Sequence, residues 1–241
     1  MKPLIKIGFC ILLLCSTLGV FAQSDSSKFS FIGVNGGIAV PLKSFAPFSS
    51  VFPDSKASLG YTVNITVEYP IKNSRIGIIG LLSYGQNKFN PISFSPSGGG
   101  YLYDSSRYGN FNELTIQGGI YLPLSSKDNV FNFHVLGGVL FFTFPETMYS
   151  ENYYYPSYAY NETYRINSAN IMGLTFDMGF GIKGYINQKL LFALSIDTFF
   201  SEKSNCITGL TNYQAGTNTY FSSLNVFLFN ITTGLAYVIG K

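Results

Sequence analysis

Six ionisable residues carry the chemistry open to this chain: Glu68, Glu113, His134, Asp177, Lys183 and Asp197. All six fall on the polar phase of stretches where apolar and polar residues alternate, so they share the interior of whatever those stretches build. Unlike charges collected in one interior can pair and close it, which is the reading adopted for them. The same set could relay protons or line a narrow ion conduit. Catalysis would need a nucleophile or an activated water within hydrogen-bond reach of a base. His134 is the sole histidine, and no Ser or Asp stands at a diagnostic spacing from it, so no catalytic residue is assigned. Metal and cofactor binding are not expected. One histidine and one cysteine beyond the leader, Cys206, cannot complete the four-ligand nitrogen and sulfur sets that zinc prefers.

A second set is aromatic. Tyr149, Tyr153, Tyr154, Tyr155, Tyr158, Tyr160 and Tyr164 crowd the segment 144–168. Tyrosine supplies broad, rigid contact area with a polar tip, which suits a recognition surface. The same rings could instead pack on one another or extend an aromatic girdle.

The elements that must position these residues repeat with period two. Leu59, Tyr61, Val63, Ile65, Val67 and Tyr69 alternate with Gly60, Thr62, Asn64, Thr66 and Glu68. Such spacing places one set on each face of a strand. Eight stretches of this kind are predicted, at 29–41, 59–69, 75–87, 111–122, 130–143, 169–186, 190–201 and 221–239. Each is long enough for a tilted membrane crossing, which takes about 9–11 residues. In the third, Ile76, Ile78, Ile79, Leu81 and Leu82 break the alternation, so its faces are left unassigned. Elsewhere the apolar sets, such as Phe131, Phe133, Val135, Val139 and Phe141, are expected to face lipid. Tyr69, Tyr121, Tyr185 and Tyr237 lie near strand ends, where interface anchors belong; Tyr121 and Tyr185 have the inward phase. The pairs Gly36-Gly37, Gly118-Gly119 and Gly137-Gly138 lie inside strands and predict tight curvature. Connections alternate between long and short, the pattern of an outer-membrane barrel with long outer loops. In hydrocarbon a sheet survives only by closing, and eight strands close around a lumen that side chains can fill. The fold class predicted is therefore all-β, an eight-stranded antiparallel transmembrane up-and-down β-barrel.

Composition agrees. Charged residues make up 11% of the 241-residue chain and aromatics 17%, against about 25% charged in a typical soluble protein. The net charge of +3 and the lack of a basic patch argue against nucleic acid. Residues 1–22 read as a cleaved signal peptide. Lys2 and Lys6 precede an apolar run from Ile7 to Val20, and Val20-Phe21-Ala22 supplies the small residues of a cleavage site. The run is too short for a spanning helix, which needs about 20 residues. Cys10 and Cys15 fall within this leader. Residues 23–28 would be a short periplasmic segment and 29–241 the barrel domain.

Several segments resemble the small outer-membrane β-barrel family common in the Bacteroidetes, often called PorT-like or the outer-membrane-protein β-barrel domain family. They are FIGVNGGIAVPL (31–42), LTIQGGIYLPLSS (114–126), VLGGVLFF (135–142) and the closing ITTGLAYVIGK (231–241). The resemblance implies residence in the bacterial outer membrane, contact with its lipid, and insertion by the barrel-assembly machinery. It brings no shared catalytic residues. The chain departs from the terminal aromatic that machinery reads, since Tyr237 is followed by Val-Ile-Gly-Lys. The expected role is a non-enzymatic barrel, structural or binding an unidentified extracellular ligand through its long loops. A narrow porin or secretion helper and an outer-membrane lipid-modifying enzyme are the alternatives.

Overall fold

The computed structural model describes residues 29–42, 55–72, 74, 76–91, 101–125, 129–155, 158–202, 204–212, 216–224 and 226–239. The expected leader, 1–22, and the segment 23–28 lie outside them. The described residues form thirteen strands and no helix. In chain order these are β1 (Ser30–Pro41), β2 (Ser55–Pro70), β3 (Gly77–Pro91), β4 (Tyr101–Tyr108), β5 (Asn110–Ser125), β6 (Asn129–Phe144), β7 (Thr147–Tyr155), β8 (Tyr158–Ile166), β9 (Ala169–Tyr185), β10 (Leu190–Ser201), β11 (Ser204–Asn212), β12 (Gly216–Leu224) and β13 (Phe227–Ile239).

Eight strands close a barrel in the order β1-β13-β10-β9-β6-β5-β3-β2. They are the eight stretches that alternation predicts, each paired with its sequence neighbours among those eight. The seam runs from Ser30↔Ile239 to Pro41↔Leu228, so no edge of the wall is left unpaired. The last stretch differs from its prediction. Residues 221–239 are not one strand, because β12 ends at Leu224 and belongs to a different sheet. Val226 starts the return to the wall. Its N–H donates to Ser201 Oγ at 2.9 Å, and its carbonyl accepts from Ser201 N at 2.8 Å.

The wall is inverted relative to a water-soluble protein. Val34 (56% exposed), Ile116 (55%) and Leu174 (62%) point outward, whereas Glu68 (3%) and Asp177 (2%) point inward. A continuous apolar outside around a polar inside is stable only in hydrocarbon. The third predicted strand takes its faces from neighbours rather than from its own pattern. Ile78, Leu82 and Tyr84 are outside, while Ile79 and Leu81 turn inward. Alternation fails there because part of the lumen is apolar: Ile79 packs with Tyr121 and Leu136. Tyr121 is therefore a buried lumen residue, not an interface anchor. Tyr69, Tyr185 and Tyr237 are exposed near the short-turn end, where an aromatic girdle sits.

Short turns join β2 to β3, β5 to β6 and β9 to β10. In the last, Asn187 Oδ1 accepts from the N–H groups of Lys189 and Leu190, both at 2.9 Å, the local side-chain bond that favours Asn in turns. At the other end the connections carry structure that alternation did not reveal. The strands β4, β7, β8, β11 and β12 form a second sheet, in the order β12-β11-β8-β7-β4. Three separate loops contribute to it. β7 and β8 make a hairpin from Thr147↔Ile166 to Tyr155↔Tyr158, and Arg165 Nη2 reaches Glu146 Oε2 at 3.0 Å at its base.

Two adjacent glycines test the curvature argument. A Cβ on Gly119 would strike the Val135 carbonyl and come within 2.8 Å of Leu136 Cα, whereas one on Gly118 would find nothing nearer than 4.0 Å. Gly119→Ala should lose about 1–3 kcal/mol, the usual scale of overpacking, and Gly118→Ala should be near neutral. Urea unfolding in detergent, followed by the heat-dependent gel mobility of the barrel, measures both.

Candidate functional site

The lumen holds the six ionisable residues in three places. Toward the short-turn end, Lys183 Nζ on β9 donates to Glu68 Oε1 on β2 at 2.6 Å. Asn132 Nδ2 on β6 donates to the same oxygen at 3.2 Å. Lys183 also lies 5.4 Å above the ring of Phe31, which packs with Leu191, Ala236 and Val238. The pair stands across the bore from wall to wall, 115 residues apart in sequence.

His134, Asp177 and Asp197 form the second group, on the adjacent strands β6, β9 and β10. His134 Nε2 is 2.9 Å from Asp197 Oδ1 and 3.7 Å from Asp177 Oδ1. Ser195 Oγ donates to Asp197 at 2.8–2.9 Å. Glycine makes the approach feasible. Gly179 is the register partner of both His134 and Asp197, and a Cβ there would come within 2.8 Å of His134 Nε2 and 2.7 Å of the Ile196 carbonyl. One turn of the alternation further, Gly181 clears space for Asn132 in the same way. The sequence Asp177-Met178-Gly179-Phe180-Gly181-Ile182-Lys183 thus presents charge, gap, gap, charge to the lumen and large apolar groups to lipid. That inward series of small residues is the signal that sequence reasoning passed over.

Glu113 stands apart from both groups. Gly85 lies opposite it, and a Cβ there would come within 2.8 Å of the Glu113 Cγ and Cδ atoms. Glu113 lines a cavity of about 10 Å³ together with Gln117, Asp177, Asp197 and Asn230, the space of a single water or ion. A second cavity, about 40 Å³, lies beside Glu68, Asn132, His134, Lys183 and Ser195. At the loop end Phe89, Phe111, Phe142 and Phe144 meet with ring centroids 5.4–6.2 Å apart. Three of them are about 1% exposed. The polar interior therefore lies between apolar layers at both ends.

This geometry limits the chemistry. Ser195 gives its hydrogen bond to Asp197, not to His134, so among the described residues no hydroxyl is paired with the imidazole as a nucleophile would require. The expected recognition tyrosines are a separate matter. Their backbones form β7 and β8, with Tyr149↔Tyr164 and Tyr153↔Tyr160 in register, but the side chains of all seven lie outside the described residues.

A closed eight-stranded wall, apolar outside and charged within, decides the architecture. The fold is that of small bacterial outer-membrane barrels. Solved structures of that kind are similar over nearly their whole length. A major outer membrane protein from Thermus thermophilus is 10% identical, with 88% of this chain and 99% of that one covered and a TM-score of 0.49. The outer membrane protein OprG of Pseudomonas aeruginosa is 12% identical over 88% and 97%, with a TM-score of 0.46. The outer membrane protease OmpT of Escherichia coli is 11% identical over 90% and 99%, with a TM-score of 0.42. No family model matches the chain, and no curated relative matches it either.

The Glu68–Lys183 pair allows a double-variant test. Lys183→Met leaves a buried carboxylate uncompensated and should cost about 3–5 kcal/mol, while Glu68→Gln/Lys183→Met together should cost clearly less. Urea unfolding of the detergent-solubilised barrel gives the comparison. A loss in the double variant equal to the sum of the losses in Lys183→Met and Glu68→Gln alone would mean that the two charges are not coupled.

Proposed function

We propose that this protein is a non-enzymatic, non-conducting barrel of the bacterial outer membrane that holds a small β-sheet outside the membrane as a binding platform. The observation that carries the reading is the second sheet. Three long connections, from β3 to β5, β6 to β9 and β10 to β13, contribute strands to one five-stranded array. Loops that only joined wall strands would have no need to pair with one another. A sheet assembled from several loops gives a defined surface with little ordering cost on binding. The lumen supports the same reading from the other side. Lys183 reaches Glu68 across the bore, and phenylalanine rings cluster at the loop end.

The seven tyrosines fit this role by composition, as rigid contact residues on the β7–β8 hairpin. The partner is an extracellular ligand whose chemistry the hairpin would set. The segments that resemble PorT-like proteins are consistent with a surface barrel and add no activity. Lipid contact through the apolar belt and insertion by the barrel-assembly machinery complete the proposed set of partners.

Two measurements test the proposal. Deleting residues 150–162, the greater part of the hairpin, should leave membrane insertion intact and abolish binding of whole cells to their target surface. Unchanged cell binding would remove the recognition role. In planar bilayers the intact barrel should stay silent at all voltages, and steady single-channel steps would favour the narrow-channel alternative instead.

A further inference from the structure

The lumen charge does not balance. Among the described residues facing the interior, the carboxylates Glu68, Glu113, Asp177 and Asp197 are set against only Lys183 and His134 as groups able to carry positive charge. Lys183 is committed to Glu68 at 2.6 Å. The remaining carboxylates share one imidazole, in surroundings where uncompensated charge is costly. A second observation points the same way. Asp177 Oδ1, Gln117 Oε1, Asn230 Oδ1 and Glu113 Oε2 are buried and accept no hydrogen bond, and all four residues line the 10 Å³ cavity. Buried acceptors left unpaired around one space call for a cation or a donating group.

From this we infer that the barrel lumen binds one divalent transition-metal ion, ligated by His134, Asp177 and Asp197. One ligand atom from each residue lies within 4.8 Å of the other two, close enough for small side-chain adjustments to bring all three onto a common ion. Asp177, His134 and Asp197 are 2%, 6% and 7% exposed. Neutral imidazole and two carboxylates with a divalent cation sum to zero charge, which removes the imbalance where it is greatest. Gln117 and Asn230 bring carbonyl oxygens to the cavity that the two aspartates also line. A set of hard oxygens with a single imidazole selects Mn²⁺, Fe²⁺ or Zn²⁺ over softer ions. Gly179 keeps the ligand side chains free to converge, and the phenylalanine layer at the loop end would hold the ion in.

The test uses the full chain, extracted from bacterial membranes into detergent, unfolded in urea with chelator, and refolded with Mn²⁺ or Zn²⁺. After removal of unbound metal, elemental analysis should find about one ion per folded chain. Asp177→Asn/Asp197→Asn should retain about tenfold less or lower still, and Glu146→Gln, outside the lumen, should match the parent. Heat-dependent gel mobility reports that each variant is folded. Folded parent protein that keeps neither metal overturns the inference, as does a full complement in the folded double variant. Should the double variant fail to fold, the Mn²⁺ spin-echo spectrum of the parent decides. Nitrogen coupling from His134 is expected, and its absence overturns the site.

Discussion

Everything in this molecule follows from the requirement that backbone N–H and C=O groups be paired where no water can reach them. In hydrocarbon each unpaired group costs several kcal/mol, so the wall must close on itself. The β1–β13 seam does this over the full length of β1. Closure with eight strands then fixes a narrow bore. A narrow bore dictates which side chains can face inward and leaves space only where glycine provides it. Gly37, Gly119, Gly138 and Gly234 all stand where a Cβ would meet the backbone of the next strand. The wall is tight because these positions carry no side chain.

The same closure turns the chain inside out. Apolar side chains that would form the core of a soluble domain cover the exterior, and the charges at the middle of the wall, such as Glu68, Asp177 and Lys183, are held inside. Confinement makes charge expensive, and the lumen answers in part with specific partners. Lys183 spans the bore to Glu68, and His134 bridges toward two carboxylates. Apolar layers flank this interior at the two ends, and the low dielectric they create makes the pairing matter more. At the loop end, chain not needed for the wall is free to pair into a second sheet.

Most of the wall was legible in the sequence because each strand is a binary record of its two faces. The reading failed where that record is not binary. The third strand carries Ile79 and Leu81 inward, since the lumen near the short-turn end is lined by apolar groups such as Tyr121 and Leu136. The loop strands were missed for another reason. β7 has tyrosine at both parities, so alternation gives no signal there, and the joining of β8 to β11 depends on contacts between distant loops such as Leu210↔Ile166. The grouping of His134 with Asp177 and Asp197 was equally hidden. Those residues come from three strands, and only the register through Gly179 brings them together. A sequence reader can place each of them inward but cannot see that they meet.

The most direct test of the account is the accessibility of spin labels at neighbouring positions in the barrel reconstituted in liposomes. Labels at Val34 and Ile116 should relax strongly with oxygen, which partitions into lipid, and weakly with a water-soluble nickel chelate. Labels at the adjoining Asn35 and Gln117 should be shielded from both. Strong relaxation by the nickel chelate at Val34 and Ile116 would place the apolar face in water and contradict the architecture at its root.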